Sequence, residues 1–371
     1  MVRHALSEPA PHATPADIAR ALCGVHAQVP VAAEFSLVRR IAGATRSDVQ
    51  HALWDDRSLI KTFGPRGTVH LLPTADLPMW TGALSTLPSV VPLHPEPIRY
   101  TGEQVEQVIA AIGDALTDSE LTVDELTEAI RDRTGPWAVE RTMAAFQDLW
   151  PRWRQLTSTA AHRGVLCFGP NKGRNVTYTN PQRWLPGFRP LSADVALRAL
   201  VLRYLHAYGP ARPQHFAKWL GLPPARAVQL FKQLAGDLQA VELDGDLCWA
   251  AAGDTDTPRE PHEGVRLLPY FDAYVVAGQP RSWLYPGEAA ARALSPGGQA
   301  GNYPVLLING VVGGVWHQRR SGRTLAITVE PLSELTATQR RELDDEVALV
   351  GAVMEADATL TVGKVSVGPH A

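Results

Sequence analysis

The fold of this chain is decided by the stretch LIKTFGPRGTVHLLP, residues 59–73. Two strand-like runs flank the turn residues Gly64, Pro65 and Gly67, which is the pattern of a β-hairpin. Helical patterns precede this hairpin, at about 15–29, 34–41 and 47–54. Three helices followed by a hairpin predict a winged helix, a module that usually contacts nucleic acid.

Looser versions of the same order recur twice downstream. In residues 101–190 the predicted elements are helices at 102–116, 122–133 and 141–155, then strands at 164–168 and 175–179. In residues 191–255 they are helices at 194–208, 212–220 and 223–235, then a small hairpin at 238–241 and 247–250.

The pattern changes to short strands from about residue 255. The predicted elements there are strands at 265–268, 273–276, 303–308, 311–316 and 324–329, a helix at 336–355 and a last strand at 358–362. Asn309-Gly310 is a strong two-residue hairpin signal. The predicted fold class is α+β, with three tandem winged-helix motifs (1–100, 101–190 and 191–255) followed by a small C-terminal β-barrel (256–371).

Bulk composition is that of an ordinary globular protein. The chain has 371 residues, 45% hydrophobic and 20% charged, and three isolated cysteines that suggest neither a disulfide framework nor a thiolate zinc site. No apolar stretch approaches the roughly 18 residues that span a bilayer, and the start lacks a secretion signal. We expect a cytoplasmic protein.

Charge is unevenly distributed, although the net charge is only -3. An acidic segment, residues 101–130, carries eight acidic residues and no basic ones, whereas a basic segment, residues 141–189, carries eight basic residues against Asp148 alone. Aromatic residues are interleaved in the basic segment, which favours a surface that contacts phosphates over a merely solvated helix face. The residues predicted to contact DNA there are Arg152, Arg154, Arg163, Lys172, Arg174 and Arg183.

Three stretches carry a family resemblance: LCGVHAQ (22–28), RGTVHLLP (66–73) and LLPYFDAY (267–274). Together they resemble the AlkZ/YcaQ-like DNA glycosylase superfamily. The resemblance covers nearly the whole chain and implies three tandem winged helices and a C-terminal β-barrel. It also implies a repair enzyme that removes alkylated purines, often bulky N7 adducts or interstrand crosslinks made by genotoxic natural products, sometimes as a producer's self-resistance.

The resemblance places the catalytic pair at His26 and Gln28, where the family has Gln-hydrophobic-Gln or Gln-hydrophobic-Asp. This chain keeps the second glutamine and departs at the first position. An N7-alkylated purine is cationic and leaves readily, so the remaining task is to hold a water beneath the anomeric carbon. We expect Gln28 to position that water and His26 to act as orienter or general base.

Geometry constrains this pair. Residues two apart on a helix point roughly 200° away from each other, so the helix must end before both can face one substrate. We expect Pro30 to end it. The alternative is that His26 caps the last helical turn and Gln28 simply faces solvent.

Other polar residues have two interpretations each. We expect Arg66, Thr68 and His70 to share one strand face and to contact DNA, with Arg66 reaching a phosphate and Thr68 and His70 lining the surface beside the catalytic pair. The alternative is an exposed arginine and a locally bonded histidine. Asn171 and Asn175 join Lys172 and Arg174 at the second hairpin tip, as phosphate contacts or a solvated loop. For Asp272, an organising role in the barrel is favoured over a functional one.

No metal or nucleotide cofactor is expected, because metal-ligand spacings and phosphate loops are absent from the sequence. A covalent lysine intermediate is not expected either, because none of the five lysines lies within thirty residues of His26 and Gln28. The expected partner is double-stranded DNA carrying alkyl adducts. We expect a monomer with no membrane contact and no obligate protein partner. Two alternatives stay open: a winged-helix transcriptional regulator with a ligand-sensing β-domain, and a protein that binds adducts without catalysis.

Overall fold

The computed structural model describes residues 1–144, 148–256 and 262–369. Its α-helices are α1 (Pro15–Ala21), α2 (Pro30–Val38), α3 (Arg46–Trp54), α4 (Leu77–Leu84), α5 (Gly102–Leu116), α6 (Val123–Thr134), α7 (Thr157–His162), α8 (Ala193–Tyr208), α9 (Pro213–Leu220), α10 (Pro224–Gln233), α11 (Ala273–Ala277), α12 (Arg281–Leu284), α13 (Glu288–Ala293) and α14 (Ala337–Val353). Within the described residues, none of these helices combines the length and the apolar character needed to cross a membrane.

The strands of the described residues are β1 (Val25–His26), β2 (Leu59–Phe63), β3 (Val69–Pro73), β4 (Leu121–Thr122), β5 (Arg141–Ala144), β6 (Leu149–Pro151), β7 (Cys167–Lys172), β8 (Asn175–Thr179), β9 (Leu238–Leu243), β10 (Asp246–Ala251), β11 (Val265–Leu268), β12 (Val305–Ile308), β13 (Val311–Ser321), β14 (Thr324–Pro331) and β15 (Asp357–Val362). The α+β class is therefore confirmed.

The chain forms two compact units. The first contains residues 1–50, 204–215 and 237–371, and the second contains residues 51–203 and 216–236. The division into four consecutive domains stays a prediction.

The first unit is built on a curled five-stranded half-barrel sheet with the order β11-β12-β13-β14-β15. Neighbouring strands run antiparallel, except that β15 pairs with β14 in parallel. Val305 and Val315 are fully buried in the core on this sheet. The predicted Asn309-Gly310 hairpin is confirmed, and both residues have the positive φ that a two-residue turn of this kind requires.

Two expectations for this region are wrong. The sheet is a half-barrel, and it is accompanied by the short helices α11, α12 and α13 in addition to the single predicted helix. The predicted strand 273–276 is α11, because the Asp272 carboxylate accepts the Tyr274 N–H and caps a helix start.

In the second unit, local signals in the sequence mark where a helix begins. Thr122 and Glu125 form a capping box at the start of α6, the helix predicted at 122–133. Hairpins β2–β3 and β7–β8 pair antiparallel around a core that contains Trp153 and Leu156.

The helix predicted at 141–155 is wrong. Strands β5 and β6 pair there, a 3-10 helix at Arg152–Leu156 follows, and residues 145–147 lie outside the described part of the chain. Pro151 has no N–H to donate and clashes with the preceding turn, so a continuous helix through it is unfavourable.

Candidate active site and nucleic-acid surface

The segment that carries His26 and Gln28 begins where α1 ends. Cys23 adopts the left-handed conformation with φ 50°, its N–H donates to the Arg20 carbonyl over 3.1 Å, and the Gly24 N–H donates to the Ala19 carbonyl over 2.8 Å. This is the Schellman pattern of helix termination. Pro30 therefore does not end this helix, although the sequence predicted that it would. It is the first residue of α2, where a missing N–H costs nothing.

His26 and Gln28 consequently lie between two helices. His26 belongs to the short extended stretch β1, and Gln28 lies in the bend before α2. The alternative in which His26 caps the last helical turn is wrong, because Leu22 holds that position. The His26 side chain is buried, with 6% of its surface exposed, whereas Gln28 is exposed.

Two buried ion pairs fix α2, the helix that directly follows this segment. The Arg39 guanidinium donates to the Glu346 carboxylate over 2.9 and 3.2 Å, and the Arg40 guanidinium donates to the Asp272 carboxylate over 2.7 and 2.9 Å. Charges removed from water need such bidentate partners. The position of α2 is thus set by α14 and by the residue that caps α11.

Asp272 is the centre of this arrangement. Its carboxylate also accepts the Ser36 hydroxyl over 2.7 Å and the Tyr274 N–H over 3.0 Å. Burial opposes the charged form, but the Arg40 guanidinium and these hydrogen bonds hold the pKa of Asp272 below its ordinary value. Asp272 therefore has the organising role that the sequence favoured.

The residue before Asp272 lies beside the candidate catalytic pair. The ring centroids of Phe271 and His26 are 6.5 Å apart. Phe271 has φ 56°, and its N–H donates to the Gly301 carbonyl over 3.1 Å. A Cβ on Gly301 would come within 2.9 Å of the Phe271 ring, so only glycine fits. Sequence reasoning missed Arg40, Phe271 and Gly301 as supports of this site.

The predicted strand face of Arg66, Thr68 and His70 is wrong. Arg66 lies in the 3-10 turn Pro65–Gly67 with φ 58°, and β3 begins only at Val69. Although Arg66 is exposed, one guanidinium nitrogen donates to the Trp219 carbonyl over 2.6 Å. The Thr68 hydroxyl donates to the Pro65 carbonyl over 3.0 Å.

His70 is buried instead of lining a surface. Its Nδ1 donates to the Thr68 carbonyl over 2.8 Å, and burial lowers its pKa to about 3. The neighbouring His162 donates from Nε2 to the Gly64 carbonyl over 3.1 Å, and burial lowers its pKa to about 4. Both imidazoles are therefore neutral near pH 7 and shape the hairpin turn.

Three of the eight basic residues of the basic segment pair with carboxylates of the acidic segment within the second unit. The pairs are Arg163 with Glu106 at 2.6 Å, Lys172 with Glu125 at 3.1 Å and Arg183 with Glu120 at 3.0 Å. The local excess of positive charge in the sequence is therefore balanced only in part by these pairs.

Two further arginines of the basic segment are held by other groups. Arg152 donates to the carbonyls of Ile98 and Arg99 and stacks 4.3 Å from the Tyr100 ring. Arg154 lies 3.8 Å above the Trp150 ring. Arg174 is exposed, and no group in the described ranges holds its guanidinium. Arg152 is thus a structural residue, and Arg174 is the most available cation of this set.

The site contains side chains suited to acid–base and hydrogen-bond chemistry. In the residues that the structure describes, no group of three or more His, Cys, Asp or Glu side chains is placed to hold a metal ion.

Comparison with known proteins agrees with this arrangement. Residues 19–353 match the family described as DNA glycosylase AlkZ-like, and the chain belongs to that family. It is thus a DNA glycosylase, a hydrolase of N-glycosyl bonds.

Two relatives define the likeness further. An interstrand DNA cross-link repair glycosylase of Streptomyces sahachiroi is 30% identical over 325 residues, which is 83% of this chain and 83% of the relative. The solved structure of the Streptomyces sahachiroi DNA glycosylase AlkZ superposes with a TM-score of 0.81 at 26% identity, covering 98% of this chain and 97% of that one.

Proposed function

We propose that this DNA glycosylase acts in crosslink repair and hydrolyses the N-glycosidic bond of bulky or crosslinking N7-alkylpurine adducts. The relative described as an interstrand DNA cross-link repair glycosylase supports this class of reaction. The observation that carries the site assignment is an exposed Gln28 two residues from a buried His26 on a non-helical segment.

The chemistry requires little from the protein beyond placement. N7 alkylation makes the purine a good leaving group, so the sugar develops oxocarbenium character as the bond breaks. The Gln28 side-chain carbonyl accepts a hydrogen bond from a water molecule and thereby directs the oxygen of that water at the anomeric carbon. His26 orients this water or accepts its proton as the new C–O bond forms.

We further propose that DNA is held by three winged-helix motifs of a monomer. The recurrence of helices followed by the hairpins β2–β3, β7–β8 and β9–β10 supports this order. Arg66 and Arg174 are exposed at two of the hairpin tips. The tip of the β13–β14 hairpin adds exposed Arg319 and Arg323, which the sequence prediction had not included. Protection of a host against its own genotoxin would be the corresponding biological role.

The test is a gel assay on a duplex with an N7-guanine interstrand crosslink and on a matched bulky monoadduct. Wild type should unhook the crosslink and leave abasic sites that alkali cleaves. Gln28→Ala should lose at least about 100-fold in rate, which corresponds to about 2.7 kcal/mol of transition-state stabilisation. Gln107→Ala, at an exposed glutamine of α5, serves as the matched control.

Two outcomes of this assay would contradict the proposed reaction. Base retention by wild type on both substrates, together with tight binding to one unmodified sequence, would contradict the proposal and support the regulator. Binding to adducted DNA without release would support the non-catalytic alternative.

A further inference from the structure

Two aromatic side chains next to the candidate catalytic pair are only partly buried. Tyr270 and Phe271 follow strand β11 in the first unit, and both are half-buried. The centroid of the Phe271 ring lies 6.5 Å from that of His26 and 6.3 Å from that of Tyr270. The three rings therefore form a contiguous row that begins at His26. Phenylalanine is among the residues most often fully buried, so core packing alone does not account for this ring.

The backbone holds Phe271 in a conformation that its side chain disfavours. Its φ of 56° is left-handed, which is unfavourable for a bulky residue. Contacts on both sides maintain it: the Phe271 N–H donates to the Gly301 carbonyl over 3.1 Å, and the next residue, Asp272, is fixed by the buried Arg40. Strained residues that the surrounding structure holds in place are concentrated at functional sites. The strain therefore points to a function for the ring that this conformation places beside His26.

The chemistry of the Phe271 ring limits what that function is. The ring has no group that transfers a proton, so its recognition of a substrate depends on its shape and on its π face. This face carries partial negative charge, which attracts cations and favours stacking on flat ring systems. An N7-alkylated purine is flat and cationic, whereas an unmodified purine is flat and neutral. Stacking on Phe271 would thus favour the damaged base over an undamaged one.

We propose that Phe271 is a specificity-determining residue whose π face contacts the adducted base and selects a cationic N7-alkylpurine over a neutral purine. Tyr270 extends the row of rings and offers further contact area to a bulky adduct. This inference rests on the proposed function, because it assigns the recognition of the base in the same site. The base loses its positive charge when the N-glycosidic bond breaks, so the contact weakens in the product and the free base leaves.

The experiment compares two bases of the same shape that differ in charge. One duplex carries cationic N7-methylguanine and the other carries neutral 7-methyl-7-deazaguanine; a 2′-fluorine on the sugar retards base release in both, because it disfavours the oxocarbenium-like transition state. Fluorescence anisotropy with the full chain gives the ratio of the two affinities. Wild type should prefer the cationic duplex, and Phe271→Leu should lower this preference about fivefold, the size of one cation–π contact. Phe271→Tyr keeps a π face and should retain the preference.

The matched control is Trp283→Leu, which removes another ring of the first unit, 43% exposed and on α12. It should leave the preference unchanged, and melting temperatures near that of wild type show that each variant folds. A wild-type chain that binds both duplexes equally would overturn the proposal. So would an equal loss of affinity for both duplexes in Phe271→Leu, because a ring with a purely structural role does not distinguish charge.

These outcomes are separate from those of the proposed reaction, because the binding measurement requires no cleavage. Loss of the preference in Phe271→Leu, in a protein that releases no base from cleavable adducts, would support the contact and contradict the reaction. Base release by wild type, with an unchanged preference in Phe271→Leu, would overturn the contact and leave the reaction standing.

Discussion

Gln28 and His26 differ most in their exposure, and in the proposed mechanism this difference gives them different parts in the reaction. The exposed amide can meet a substrate water directly, whereas the buried imidazole acts from beneath, beside Phe271. The sequence identified both residues through the resemblance. It did not reveal their environment, because burial of His26 depends on residues about 245 positions away.

The proton-accepting part of His26 can be tested by changing it to the family's amide. We expect His26→Gln to keep the rate at neutral pH within about tenfold, since an amide also orients water. The wild-type rate should decline once the pH is low enough to protonate His26, and this acid limb should vanish in the variant. Exposed His51 provides the control variant His51→Gln. An unchanged acid limb in His26→Gln would exclude His26 as the base.

The buried histidines of the second unit make stability depend on pH. His70 and His162 have folded pKa values of about 3 and about 4, below the unfolded value of about 6.5. Between these limits the unfolded state binds more protons, so stability is full above pH about 6.5 and falls as pH decreases. Each group contributes up to about 1.4 kcal/mol per pH unit.

Urea denaturation between pH 5 and 6.5 checks this dependence. His162→Gln should reduce the proton uptake on unfolding by about one, because glutamine does not titrate. The control Gln107→Ala, which removes no titratable group, should leave the uptake unchanged. Equal slopes for wild type and His162→Gln would mean that His162 is already protonated in the folded chain.

At the scale of elements, the sequence predicts structure where the signal is local. The helices predicted at 102–116, 122–133 and 336–355 match α5, α6 and α14 to within a few residues, and each begins with a capping box in the structure. Asn309-Gly310 located the β12–β13 turn. Prolines caused the two wrong helix predictions, at residues 15–29 and 141–155. Pro30 begins α2 instead of ending α1, because a proline alone does not show whether its helix lies before or after it. Pro151 lies inside a pattern that resembles a helix, but a proline at that position interrupts the helix.

The turn of the β2–β3 hairpin depends on a close approach. A Cβ on Gly64 would lie 2.8 Å from the ring of His70, which is itself buried and bonded. We expect Gly64→Ala to destabilise the protein by about 1–3 kcal/mol through this overlap. Gly102, with no neighbouring atom within 4 Å, supplies the control Gly102→Ala, which should be neutral or slightly stabilising. Equal denaturation midpoints for the two variants would refute the packing argument.

At the scale of the whole molecule, contacts distant in sequence hold the site. Arg40 and Asp272 are 232 residues apart, and neither side chain is exposed. We expect Asp272→Asn to cost about 3–5 kcal/mol, because it leaves a buried guanidinium without its counter-charge. Asp148→Asn, at an exposed ion pair with Arg141, should cost less than about 0.5 kcal/mol. Chemical denaturation compares the two, and similar small losses would contradict the ion-pair account.

We expect the ion pairs between the acidic and basic segments to limit binding to undamaged DNA. Replacing Glu106, Glu120 and Glu125 by Gln frees three cations, which then compete for phosphates. We expect tighter binding and a steeper fall of affinity with salt, by roughly 0.9 in the logarithmic slope per added contact. Fluorescence anisotropy at several salt concentrations measures both. The same triple change at Glu288, Glu334 and Glu355, outside the acidic segment, controls for net charge, and an identical response would rule out a local effect.

The first unit joins residues 1–50 to residues 237–371, near the other end of the chain, and this has a consequence for biosynthesis. As the ribosome extends the chain, the segment with Gln28 emerges early, but its supports at Asp272 and Glu346 are made near the end. A nascent chain or a fragment from a premature stop codon therefore lacks the ion-pair partners that hold the helix next to the proposed catalytic pair. Such incomplete products should not release bases from the genome, so the order of synthesis itself restrains a reaction that would leave unrepaired abasic sites.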